Sequence, residues 1–245
     1  MSIRVSRRRL LKYLAGIGVA TVAAGVASFK IPELTRRETE ALTVEGELVR
    51  LPHPRKKSSL SLEEAIERRR SRRTYTNEPV LLNDVSQLCW AAQGITDARL
   101  SFRGAPSAGA LYPLEVFLVV GSSDLAAGVY HYSCREHALE RVKSGDYRKQ
   151  LCEASLGQEW VEKGALDFVI TAIYDRTMAK YGERGRDRYV PMEAGHVAEN
   201  IYLQAESLGL GTVSIGAFHD DRVREVISVP SEYVPLYVMP VGHVR

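Results

Sequence analysis

Residues Arg68-Arg69-Arg70-Ser71-Arg72-Arg73-Thr74-Tyr75 gather five guanidinium groups around one serine. Each guanidinium is a planar fork of donors that suits phosphate oxygens, so the run has the chemistry of an anion receptor. Two further segments suit a ligand. In Pro106-Ser107-Ala108-Gly109-Ala110-Leu111-Tyr112-Pro113, small residues let backbone amides approach a flat molecule. In Ser214-Ile215-Gly216-Ala217-Phe218 a predicted strand ends in small residues. A Lys180-Tyr181 pair, followed by Gly182-Glu183-Arg184 and Arg188-Tyr189, reads by itself as an exposed loop with ordinary surface charges.

Several chemistries lack their motifs. The chain has no GxxxxGK[ST] loop, no HExxH and no GxGxxG after a strand. Gly209-Leu210-Gly211 follows a predicted helix and precedes a strand, the wrong order for a dinucleotide fingerprint. A helix C-cap and a tight turn explain it better. His196 has Glu193 and Glu199 nearby but no second histidine at ligand spacing, so a packing or hydrogen-bonding role with Asn200 one turn on is expected rather than a metal. Trp90 and Tyr112 suit either the core or a ligand ring.

The elements that must position these residues are readable in outline. Ser61-Leu62-Glu63-Glu64 is a capping box that starts the helix ending in the arginine run. Asn83-Asp84 is expected to cap a second helix, with Val85, Leu88, Cys89 and Ala92 on one face. A loop is expected over about 96–113. Strands are predicted at Leu114–Val120, Gly128–Tyr132, Leu166–Tyr174, Thr212–Ile215 and Val234–Gly242. Helices are predicted over 144–156, over Met192–Leu208 and from a cap at Asp220. This order argues for an α+β domain rather than regular βαβ units.

A second basic cluster has another meaning. Ser6-Arg7-Arg8-Arg9-Leu10-Leu11-Lys12 precedes an apolar stretch from Tyr13 to about Phe29 and is similar to a twin-arginine export signal. The alternative is a plain N-terminal membrane anchor over residues 10–29; a span of about 17 residues sits at the lower edge for crossing a bilayer. Residues 30–59, charged and containing Pro32, Pro52 and Pro54, are expected to be a linker or arm, and 60–245 the functional domain. The leader carries five of the 33 Lys and Arg residues and no acid through Ala27. The rest holds 28 against 30 acidic residues, a net charge of −2, so no global case for nucleic-acid binding survives. Cys89, Cys134 and Cys152 form no CxxC pair; their odd number disfavours a disulfide framework, and Cys89 reads as core.

Five segments carry a resemblance. Arg69-Arg70-Ser71-x-Arg73-x-Tyr75, Pro106-Ser107-Ala108-Gly109, Glu193-Ala194-Gly195-His196, Leu208-Gly209-Leu210-Gly211-Thr212 and Pro240-Val241-Gly242-His243 occur in the order and spacing of the nitroreductase-like flavoproteins. The nearest branch resembles the azoline-forming peptide dehydrogenases, over about residues 60–245. The resemblance implies a central, mostly antiparallel sheet flanked by helices, in a homodimer with FMN at the subunit interface. It implies that Arg69, Arg70 and Ser71 bind the FMN phosphate and ribityl chain, with Arg245 a further phosphate candidate. Arg73 is implied at the pyrimidine edge, where a cation favours the reduced ring. Pro106, Ser107 and Ala108 would pack on the ring from the partner chain, and amides near Gly216 and Ala217 would face N5. The branch also implies Lys180 and Tyr181 in proton removal.

The activity expected from this is an exported FMN-dependent oxidoreductase that transfers hydride to or from flavin N5, with a small-molecule or peptide substrate. Scarcity of NAD(P)H outside the cytoplasm weighs against its use as reductant. Two alternatives stand beside this. One is a membrane-anchored flavin-binding module without turnover. The other is an azoline-type peptide dehydrogenase working with a cyclase partner.

Overall fold

Leu114–Val120 and Leu166–Ala172 are apolar along almost their whole length because both faces of the sheet are covered where they run. They pair antiparallel, Leu114 opposite Ala172 and Val120 opposite Leu166. The computed structural model describes Gly46 and residues 48–245, which belong to one unit, Leu42–Arg245. The leader expected over 1–29 lies outside the described residues.

The strands are β1 (Leu48–Arg50), β2 (Ile95–Asp97), β3 (Phe102–Arg103), β4 (Leu114–Val120), β5 (Gly128–Ser133), β6 (Ala138–Ser144), β7 (Leu166–Ala172), β8 (Leu210–Thr212) and β9 (Val234–His243). Seven of them form one sheet in the order β1-β6-β5-β4-β7-β9-β8, antiparallel throughout, and β2-β3 is a separate hairpin. The helices are α1 (Leu62–Arg68), α2 (Leu82–Gln93), α3 (Arg148–Ala154), α4 (Glu159–Lys163), α5 (Asp175–Tyr181), α6 (Val190–Leu208) and α7 (Asp220–Ile227). Alternation along the central strands divides the core. Leu114, Val116 and Leu118 of β4 meet α2 and α6, while Phe117 and Val119 meet α3, α4 and α7 on the other face. This is the expected α+β architecture, a central antiparallel sheet flanked by helices.

Several expectations change in detail. Residues 48–59 do more than link: β1 adds to the sheet edge, Leu51 is buried, and the Arg55 amide donates to Gln87 Oε1 at 2.8 Å. The Ser61–Glu64 capping box forms, with Glu64 N donating to Ser61 Oγ at 3.2 Å and Ser61 N to Glu64 Oε2 at 3.0 Å. The second helix begins at Leu82, so Asn83 and Asp84 lie in its first turn. Its leading amide donates instead to Asp124 Oδ1, at 2.6 Å, from a loop 42 residues away. His219 rather than Asp220 occupies the N-cap of α7. The strand expected over 212–215 sits earlier, at Leu210–Thr212, and Ile215 makes only a single bridge to Val238. Cys89 is core, as expected, and the three cysteines are free thiols.

Gly209 ends α6 in the left-handed conformation, φ 70°, as a C-cap should. Gly211 has a different reason. A Cβ there would lie 2.3 Å from Val244 Cγ1 and 2.7 Å from Arg72 Cβ. Glycine at 211 is what lets the arginine loop lie against β8.

Candidate active site

The arginine run leaves α1 at its C-cap, Arg69, and turns along β8. Ser71 bridges to Thr212 in parallel, and the Arg72 amide donates to Thr212 O at 2.9 Å. The buried Tyr75 pins the exit of the loop: its hydroxyl donates to Arg72 O at 2.7 Å, and its backbone bridges Val244. Arg245 follows Val244 directly and so ends beside this loop.

Tyr202 of α6 ties the loop to the third ligand segment. Its hydroxyl accepts from the Ser214 amide at 2.7 Å and lies 3.1 Å from Ser71 Oγ, while the Arg69 guanidinium stands 5.2 Å over its ring. Thr212 Oγ1 is buried next to Ser71 with no hydrogen-bond partner among the described residues. Arg73 reaches the other way, 5.5 Å over the ring of Trp160 in α4, and Gln158 just before α4 donates to Ala217 O at 3.0 Å. Gly216 and Ala217 are exposed, and their amides donate no hydrogen bond among the described residues. Arg69, Ser71, Arg73, Gly216 and Ala217 therefore share one neighbourhood. Arg70 is partly committed: one guanidinium nitrogen donates to Glu67 O at 2.8 Å and to Arg69 O at 2.7 Å, closing the end of α1. Arg69 and Arg73 form no ion pair among the described residues.

A second cluster surrounds the 106–112 loop. Gly109, at φ 64°, packs so closely on Lys180 and Tyr181 that a Cβ would lie 2.9 Å from Tyr181 Oη and 3.0 Å from Lys180 Nζ. Ser107 Oγ accepts from the Tyr112 amide at 2.9 Å and lies near the buried Glu193 carboxyl, whose Oε1 has no hydrogen-bond partner among the described residues. Burial, the largest influence, pushes the Glu193 carboxyl up to about 7; the Ser107 hydroxyl and the nearby Arg103 only moderate this. Arg103 donates to Gln93 Oε1 at 2.6 Å and stacks 4.4 Å over the Tyr112 ring. Pro106 and Ala108 flank Ser107 at the surface of this loop.

Helix α6 separates the two clusters. Glu193 meets one and Tyr202 the other; nine residues apart, they differ by about half a turn and by about 13 Å of rise. The clusters thus lie on opposite faces of one helix. Cavities of about 400 Å³ and 640 Å³ flank the 53–61 arm and Trp90, and neither is lined by these clusters.

The sequence profile of the nitroreductase family matches residues 66–243, which spans both clusters. The chain belongs to the nitroreductase family. It is 44% identical over 187 residues to MJ1384 of Methanocaldococcus jannaschii, itself named as a nitroreductase, over 75% of this chain and 91% of that one. It is 32% identical over 150 residues to the microcin B17-processing protein McbC of Escherichia coli, covering 58% and 55% of the two chains, so the resemblance to the azoline-forming branch holds. The crystal structure of a Ralstonia eutropha protein titled as a nitroreductase superposes with a TM-score of 0.72 at 28% identity, over 81% and 90% of the chains. This family of flavin oxidoreductases includes proteins named FMN reductase and NADPH:FMN oxidoreductase, and FMN is its cofactor.

The nitroreductase site fits that cofactor on its own chemistry. Unpaired guanidinium groups at Arg69 and Arg73, the Ser71 hydroxyl and the orphaned Thr212 hydroxyl suit a phosphate and a polyhydroxyl chain. Tyr202, Trp160 and Gln158 were not singled out by sequence, and Glu193 was weighed only as a neighbour of His196 and as part of a motif, not for its contact with the 106–112 loop. Tyr202 and Glu193 sit within the predicted helix, where a buried polar residue interrupting the apolar face was the available signal.

Proposed function

We propose that this nitroreductase acts as an FMN-dependent oxidoreductase whose flavin sites each draw on two chains. The observation that carries this reading is the placement of the phosphate-type cluster and the Ser107–Lys180 cluster on opposite faces of α6. One chain cannot wrap both around a single flat ring, whereas a symmetric dimer can bring the first cluster of one copy to the second cluster of its partner.

In this reading Arg69 and Ser71 bind the phosphate, with Arg70 and Arg245 alongside. Arg73 holds positive charge near the ring edge that becomes electron-rich. Gly216 and Ala217 offer unpaired amides to the ring. The Pro106–Ala108 loop covers the opposite side and excludes water. Bound FMN supplies hydride acceptance and donation at N5. Lys180 exchanges a proton with the substrate at Nζ, with Tyr181 Oη beside it. The leader motif Ser6–Lys12 puts this chemistry outside the cytoplasm; finding the chain only in the cytoplasmic fraction would remove that part of the reading.

Lys180→Ala should leave FMN bound, by visible absorbance, while slowing turnover. Equal turnover in wild type and variant would reject Lys180 as the proton-handling group, whereas FMN binding with no turnover in either would favour a flavin-binding module. The similarity to McbC supports a second reading, a peptide ring as the molecule oxidised. It is tested by offering an azoline-containing peptide and a quinone as competing substrates.

A further inference from the structure

Helix α5, which ends in Lys180-Tyr181, has only seven residues and no side-chain N-cap. A helix that short has little stability of its own, so its direction depends on tertiary anchors. The loop it faces is also in need of support. Gly109, Ala110 and Tyr112 have φ values of 64°, 55° and 47°, and the left-handed region disfavours side-chain-bearing residues such as Ala110 and Tyr112.

One side chain meets both. Arg176, one helical turn before Lys180, donates from one guanidinium nitrogen to Tyr112 O at 3.2 Å and pairs with Glu115 Oε1 at 2.6 Å. Glu115 is anchored in turn within the sheet. Its other oxygen lies 2.8 Å from His131 Nε2, and His131 Nδ1 lies 3.3 Å from Glu140 Oε2. Burial alone would raise the Glu115 carboxyl, but His131 and Arg176 outweigh it and hold the group below its usual range. Burial likewise opposes a charged His131, and Glu115 and then Glu140 outweigh it. The chain Glu140–His131–Glu115–Arg176 therefore runs from β6, beside the sheet edge, across β5 and β4 to the loop and to α5.

We propose that Arg176 is the positioning residue that seats Lys180 and Tyr181 against the 106–112 loop. The proposal deepens the reading of Lys180 as the proton-handling group and rests on it. Arg176 acts through its neighbours rather than on a substrate, and Glu115 is the fixed point it pulls against.

The test uses the full chain and two variants, Arg176→Met and the milder Glu115→Gln, which leaves the bond to Tyr112 O possible. Hydrogen exchange, followed by mass spectrometry, should show faster exchange in peptides covering 106–112 and 175–181. Peptides covering α1, which holds no member of this chain, should be unchanged. In a double-mutant cycle on turnover, adding Lys180→Ala to Arg176→Met should cause no loss beyond Lys180→Ala alone. Unchanged exchange over 106–112 in both variants, or losses that multiply in the cycle, would overturn the proposal. If Lys180→Ala alone leaves turnover intact, the proton-handling reading fails, and the exchange result still decides whether Arg176 is the clamp.

Discussion

Arg69→Ala is expected to weaken FMN binding by about 1.5–3 kcal/mol, roughly ten- to a hundred-fold in Kd, with little change in the fold. The fold is spared because Arg69 makes no ion pair among the described residues and its contact with the Tyr202 ring is peripheral to the core. The loop around it keeps its shape through backbone bonds that do not involve the Arg69 side chain: Arg72 N to Thr212 O, and Tyr75 Oη to Arg72 O. A charge-assisted hydrogen bond to a phosphate would be lost, and nothing nearby replaces it, since Arg70 is partly occupied in closing α1. Fluorescence titration with FMN measures the effect. An unchanged Kd would take Arg69 out of the site.

The second large effect concerns pH. The Glu193 carboxyl has a pKa of about 7 when folded, against 4.5 for an unperturbed glutamate. Between those values the folded chain keeps a proton that the unfolded chain has released. Stability contributed by this group is therefore greatest below about pH 4.5 and declines as pH rises to about 7, a loss on the order of 3 kcal/mol. Glu193→Gln keeps the shape and the contact with Ser107 but cannot ionise. The variant should match wild type below about pH 4.5 and become the more stable of the two as pH rises from there to about 7, by several degrees in melting temperature. Thermal unfolding across that range checks it, and parallel curves for the two proteins would show that Glu193 does not titrate in this way.

Much of the fold was legible because some signals are local. The Ser61–Glu64 box needs only four residues to form its reciprocal bonds, and β4 and β7 are apolar because both faces are covered. Other elements owe their form to distant partners. β6 has the composition ALERVKS, which has no strict alternation, and is a strand because β1 and β5 flank it. The first amide of α2 is satisfied by Asp124, which no window around residue 82 contains. α4 and α5 are five and seven residues long, too short for a helical period to register.

The site divides in the same way. The arginine run, the Pro106–Gly109 loop and Lys180-Tyr181 stand out by residue type, and the structure brings the last two into contact at Gly109. The pairing of Ser71 with Tyr202 and Ser214 was hidden because it joins residues 131 and 12 positions apart through one phenol. Gly211 reads locally as a turn glycine, and only its approach to Arg72 and Val244 reveals its role. That α6 divides the site into two halves follows from combining helical geometry with contacts at Glu193 and Tyr202, and the contacts are not in the sequence.

If the arginine loop grips the phosphate of a flavin, affinity must depend on that phosphate. Titrating the purified full chain with FMN and with riboflavin, which has the same ring and ribityl chain but no phosphate, tests it most directly. FMN should bind at least about ten times more tightly than riboflavin, the equivalent of one charge-assisted phosphate bond or more. Equal affinities for the two, or no binding of FMN, would remove the arginine loop as a phosphate site.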